Sequence, residues 1–241
     1  MAMSVSKSNL INSAIAVGIS EFVTLPISTI KTIYQNTSDK TIIDVIKKIY
    51  KEGGIRSFFR STSASVFSQV FSTSTKYSLY KYLEDKVKFK YSSKFFNGLA
   101  SGIFISVFTH PIDFVRIHHQ MNGPILPIIK SEGYRVLFRG YNKTLLKSSF
   151  GTALYYPLYD YAFGYFNNII YASIISAIIS ATLLQPIDYY RTRHIYSSIW
   201  YLGLRPKNLF KGLSLNLARV VPHFVIMMVL LDYFNKISQF S

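Results

Sequence analysis

The residues able to do chemistry in this chain of 241 residues are charges set inside apolar runs, and they recur at fixed spacing. Pro111-Ile112-Asp113-Phe114-Val115-Arg116 closes one such run, and Pro186-Ile187-Asp188-Tyr189-Tyr190-Arg191 repeats it with proline, isoleucine, acid and base in register. Pro26-Ile27-Ser28-Thr29-Ile30-Lys31 is a third copy in which serine replaces the acid. An acid and a base three residues apart share one helical face, so each copy offers charge at one point of a helix. A proline late in such a run kinks the helix and frees backbone groups. Where three such helix ends converge, the charges can join into a ring. Gross attraction is about 4 kcal/mol per pair at 4 Å with an effective dielectric of 20, and desolvation reduces the net strongly. That scale suits a contact that breaks and re-forms.

A second landmark follows each copy. Phe59-Arg60-Ser61, Phe138-Arg139-Gly140 and Phe210-Lys211-Gly212 each open another apolar run. Glu132-Gly133 precedes the middle one as Glu-Gly-x4-Phe-Arg-Gly; Glu52-Gly53 precedes the first with one extra residue, and the third has no Glu-Gly. Eight residues beyond the bases of these elements lie Ser68, Lys147 and Arg219, with Gln69, Ser148 and Val220 beside them. Lys147 and Arg219 sit midway along apolar runs. Charges placed there face a bundle interior or a water-filled cavity, and two cations argue for an anionic solute, which arginine holds in bidentate fashion. The alternative is that each cation pairs internally. Glu21, Lys76, Tyr155 and His223 are secondary candidates for the same cavity, Glu21 as a partial counter-charge to a lysine. His118 and His119 make a poor metal site, because adjacent helical residues point apart.

The elements that must position these groups follow from composition. The chain is 49% hydrophobic and 16% aromatic yet carries a net charge of +16. Its apolar residues fall in six long runs rather than alternating strands, and about 20 residues suffice to cross a bilayer. The reading is an all-α membrane protein, with spans at roughly 9–35, 62–84, 93–121, 141–166, 168–195 and 213–237. These pair into three repeated helical hairpins, 9–86, 93–166 and 168–237, within a single domain covering 1–241. Residues 41–50 and 124–130 read as short helices on the membrane surface, and Gly98-x-x-x-Gly102 permits a close helix contact. There is no cysteine, hence no disulfide or thiolate metal site. No nucleophile–base set or paired carboxylates appear, so neither an enzyme nor a cofactor is expected. A basic membrane-anchored protein that binds nucleic acid or partners is the alternative from another class; it has no need of cations at mid-membrane.

The triplicated Pro-x-[Asp/Glu]-x-x-[Lys/Arg], followed by [Asp/Glu]-Gly-x4-[aromatic]-[Lys/Arg]-Gly, resembles the mitochondrial carrier family over nearly the whole chain. The chain is short for that family, and its Ile/Lys/Tyr/Ser/Asn-rich composition resembles a giant-virus member. The resemblance implies six transmembrane helices around a central cavity, with termini toward the intermembrane space and the Glu-Gly loops toward the matrix. It implies a matrix gate in which Asp113 pairs with Arg191 and Asp188 with Lys31, while Arg116 faces Ser28 with no acid. Gln35 and Gln120 stand where the family places a bracing glutamine. A cytoplasmic gate falls 21 residues past the aromatic-base elements, at Lys81, Asp160 and Asp232, with Glu84 nearby; its charges do not match into three pairs. Ser68, Gln69, Lys147, Ser148 and Arg219 become the substrate contacts. The implied activity is exchange of an anionic phosphorylated metabolite, a nucleotide first, by alternating access; a carboxylate or amino acid held between Arg219 and Glu21 is the alternative. The expected setting is the mitochondrial inner membrane (the host's, if a virus encodes the chain), in contact with lipid, as a monomer and without nucleic acid.

Overall fold

The computed structural model describes residues 2–37, 41–86, 92–198, 201 and 208–240, and what it describes is helical. Six long helices carry the fold: α1 (Ala2–Asn36), α3 (Thr62–Lys86), α4 (Ser92–Gln120), α6 (Tyr141–Phe166), α7 (Ile169–Tyr196) and α8 (Leu213–Phe240). Two short ones, α2 (Ile42–Gly53) and α5 (Ile125–Glu132), sit in the connections. Helix α1 packs on α3, α3 on α4, α4 on α6, α6 on α7 and α7 on α8, and α8 closes back on α1. Pro26, Pro111 and Pro186 lie within α1, α4 and α7, each of which continues past its proline.

Polarity is inverted relative to a water-soluble bundle. Large apolar side chains point outward, among them Ile15, Ile19, Phe22 and Val23 of α1, Phe104 and Phe108 of α4, and Leu183 of α7. Serines, threonines and charges are inside: Glu21, Lys31, Ser68, Asp113, Asp188 and Arg191 are all buried. An exposed apolar belt of this kind belongs against lipid or a partner, and in lipid the helix is one of few ways to satisfy the backbone. Among the described residues, four stretches are long and apolar enough to cross a membrane: Ile11–Asn36, Phe95–Gln120, Ile169–Tyr196 and Leu213–Phe234. Helices α3 and α6 fall short on composition. The reason is visible in their buried faces, Ser65, Ser68, Ser72 and Ser74 on one and Thr144, Ser148, Ser149 and Thr152 on the other.

Two glycines set the closest approach. A Cβ on Gly98 would stand 2.5 Å from the Ala153 Cα, and one on Gly102 would stand 2.5 Å from the Ser148 carbonyl oxygen. Both neighbours are backbone of α6, which cannot swing aside, so α4 and α6 touch because these positions lack side chains.

The connections repeat one device. Thr41 caps α2 by accepting from the Asp44 amide at 3.2 Å, and Val45 and Ile49 pack on Ile33 of α1. Glu52 bonds Arg60, and Glu132 lies 3.4 Å from Arg139, so the acid of Glu-Gly clasps the base of the aromatic-base element in units one and two. In unit three, which lacks the acid, Lys211 donates to the Thr37 carbonyl at 2.8 Å and lies 4.5 Å from the centre of the Tyr34 ring. The residue after the base is left-handed in all three units, Gly140 at φ 80°, Gly212 at φ 81° and Ser61 at φ 58°. A side chain there costs about 1–2 kcal/mol. Ser61→Gly is therefore expected to raise the thermal midpoint of the detergent-purified protein; an unchanged or lower midpoint would refute the strain.

Candidate functional site

The ends of α1, α4 and α7 meet in a buried charged layer. Asp113 of α4 bonds Arg191 of α7 through Oδ2, while its Oδ1 accepts from Ser68 at 3.0 Å. Arg191 also donates to Thr144 at 3.0 Å. Asp188 of α7 takes Lys31 of α1 on Oδ2 at 2.5 Å and Lys147 of α6 on Oδ1. Lys31 donates further to Asn216 of α8 at 2.8 Å, and Asn216 to Gln185 at 2.8 Å. Pairing of this kind offsets the cost of burying charges inside a bundle.

Between α1 and α4 the link is neutral. Gln120 donates to Ser28 at 3.3 Å and accepts from Thr32 at 2.7 Å. Arg116, expected to face Ser28, turns instead to Asp113 of its own motif, 3.4 Å away, because that acid lies three residues back on the same helical face. Gln35 reaches Asp188 at 3.5 Å, bracing the Lys31 pair. Asn216 and Gln185 were absent from the sequence reading; the signal for them was polarity on faces of otherwise apolar helices.

Above this layer lies a cavity of about 220 Å³. Ser68, Gln69 and Lys76 come from α3, Lys147, Ser148 and Tyr155 from α6, and Arg219, Val220 and His223 from α8. The five expected contacts thus share one space, but two of them are not open cations. Lys147 is bonded to Asp188, and Arg219 donates to Glu21 of α1 at 2.8 Å. Long side chains on a cramped wall find the nearest carboxylate before any solute arrives. Glu21 also accepts from Gln69 at 3.3 Å and is not part of the cavity wall. It therefore cannot hold a solute's ammonium there, and it partners the arginine rather than a lysine. Lys76 is the cation that makes no ion pair or hydrogen bond among the described residues while lining the cavity.

The aromatic rings of the wall are paired with one another. Tyr155 stacks on Phe224 at 3.8 Å between centroids, and Tyr156 lies 4.9 Å from Tyr80. Towards the far ends of the even-numbered spans, Asp160 is 3.5 Å from the Tyr80 hydroxyl, and Asp232 pairs at 2.7 Å with Lys236 of its own helix. The side chains of Lys81 and Glu84 lie outside the described residues. His118 hydrogen-bonds the Phe114 carbonyl at 2.9 Å, a local fold contact.

Counting the cavity, the layer beneath it and Glu21 behind the wall, six cations (Lys31, Lys76, Arg116, Lys147, Arg191, Arg219) stand with three carboxylates (Glu21, Asp113, Asp188). Excess positive charge of this kind favours an anion.

Comparison with known proteins supplies the remaining findings. The profile of the mitochondrial carrier protein family matches residues 5–91 and 87–170. A mitochondrial carrier-like protein of Acanthamoeba polyphaga mimivirus is 42% identical, over 95% of this chain and 96% of its own length. A mitochondrial ornithine transporter of Schizosaccharomyces pombe is 24% identical over 63% of this chain and 59% of its own length. An electrogenic aspartate/glutamate antiporter of Mus musculus is 22% identical over 88% of this chain and 38% of its own length.

Proposed function

The chain belongs to the mitochondrial carrier family, and from that premise we propose that it carries a small anionic metabolite across the mitochondrial inner membrane by alternating access. The observation that supports this best is the charge in and around the cavity, six cations against three carboxylates, with Lys76 unpartnered among the described residues. In this reading all six long helices span the bilayer as three repeats, 9–86, 93–166 and 168–237, of one domain. Helices α3 and α6 cross despite their polarity because their serines and threonines face the cavity. The Asp113–Arg191 and Asp188–Lys31 pairs form the matrix gate, and Asp160 and Asp232 belong to a weaker cytoplasmic one. The carrier works as a monomer and, given its likeness to the mimivirus protein, in the mitochondrion of an infected host.

A nucleotide remains one candidate, resting on charge alone. The wall offers a nucleotide base little to stack on, because Tyr155 and Tyr156 are already engaged by Phe224 and Tyr80. A carboxylate is the second reading, favoured by those closed aromatic faces. Uptake into proteoliposomes from a panel of nucleotides, carboxylates and amino acids decides between them. Lys76→Gln is expected to lower uptake of the accepted anion about tenfold, the loss of roughly 1.4 kcal/mol of binding. Undiminished uptake by that variant would remove Lys76 from the site, and transport of cations only would overturn the anion reading.

A further inference from the structure

One carboxylate stands behind the cavity wall, outside the charged layer and out of a solute's reach. Glu21 of α1 is 0% exposed. Its Oε2 accepts from Arg219 at 2.8 Å and Gln69 at 3.3 Å, while Oε1 has no hydrogen-bond partner among the described residues. Arg219, Gln69 and His223 line the cavity and separate Glu21 from it. His223 Nδ1 stands 3.6 Å from Glu21 Oε2 and is likewise without a hydrogen-bond partner. The charged and titratable groups facing Glu21 are thus Arg219 and His223, both of α8. Helix α3 contributes the neutral Gln69, and Lys31, further along α1, is committed to Asp188.

We infer that Glu21 takes up a proton whenever an anion occupies Arg219, so that anion and proton cross together, with His223 passing the proton in from the cavity. This rests on the carrier reading above. One guanidinium neutralises one carboxylate, and a solute that takes Arg219 strips Glu21 of its counter-charge. Glu21 is then a buried anion beside a second anion. Two like charges in one desolvated site do not both stay ionised; the carboxyl protonates instead. A solute cannot reach Glu21 past its neighbours, but a proton can. His223 accepts one from cavity water and becomes imidazolium. It then gives the Nδ1 proton to Glu21 Oε2 and returns to neutral, leaving a neutral carboxyl and an Arg219–solute pair. Release of the anion on the other side restores the Arg219–Glu21 pair and expels the proton. The mechanism uses the His223 Nδ1 atom, which has no hydrogen-bond partner among the described residues and which a purely structural Arg219–Glu21 pair leaves unexplained.

The test uses the full chain in liposomes containing a pH-sensitive dye, with the membrane potential clamped by potassium and valinomycin. Radiolabelled inorganic phosphate, malate, glutamate and ATP are offered outside in turn. The anion that enters is expected to acidify the lumen and to accumulate about tenfold for each unit of inward pH gradient, the ratio one proton per anion gives. Glu21→Gln supplies a permanently neutral group of the same shape, and both acidification and gradient-driven accumulation should vanish. Glu21→Asp should retain both, and His223→Gln should slow both, which keeps the test decisive if Glu21→Gln fails to fold. Uptake by the unaltered chain without acidification overturns the coupling and leaves the carrier reading intact, as does normal acidification by Glu21→Gln; Glu21 is then a counter-ion only. Entry of none of the four anions overturns the anion reading and the coupling with it.

Discussion

Asp188→Asn is expected to cost about 3–5 kcal/mol, the usual penalty for leaving a buried charge without its partner. Asp188 is 1% exposed and bonds two cations on two other helices, Lys31 of α1 and Lys147 of α6. Asparagine keeps the shape and removes the charge, so both ammonium groups remain buried against a neutral amide. Folded proteins are typically stable by only 5–15 kcal/mol in total. The variant should therefore melt at a markedly lower temperature in detergent, measured by intrinsic fluorescence, and reconstitute poorly. Asp188→Glu should recover much of the loss. A midpoint for Asp188→Asn equal to that of the unaltered protein would mean that the charged layer holds nothing together.

The second large effect separates stability from transport at Arg219. Arg219→Leu removes the guanidinium from Glu21 and should destabilise the fold by an amount of the same order, about 3 kcal/mol, moderated as Glu21 protonates. Glu21→Leu combined with Arg219→Leu removes both charges and should regain most of that stability, since a buried pair replaced by apolar groups is often neutral or better. Uptake should stay lost in the double variant, because the cavity has lost a cation that meets the solute. Recovered uptake in a stable double variant would exclude Arg219 from solute binding.

The helices and their order were readable because each run is long, apolar and punctuated by the same two motifs. Equal spacing in each unit brings equivalent charges to one level, and the pairing of Asp113 with Arg191 and of Asp188 with Lys31 is the one the family resemblance implies. Partner choice among the flexible cations was not readable. Lys147 and Arg219 looked open because a sequence does not show that Asp188 has a second free oxygen or that Glu21 lies across from α8. The same limit hid Lys236, whose pairing with Asp232 one turn away on the same helix forms locally. Lys76 ranked low because no repeat-related cation marks its level. The third connection lost its Glu-Gly, and only the folded chain reveals that Tyr34 and Thr37 of the first unit hold Lys211 instead.

The charged layer has three junctions, and they are not alike. Helix α7 is tied to α4 through Arg191 and Asp113 and to α1 through Asp188 and Lys31, whereas α1 and α4 touch through amide and hydroxyl dipoles at Gln120, Ser28 and Thr32. A bundle fastened this way has a seam. Separating α1 from α4 breaks no ion pair, while freeing either from α7 takes a base, Arg191 or Lys31, from its acid. The least costly first movement is a parting along that seam with α7 still clasping both sides, a door hinged on one post rather than an iris widening evenly.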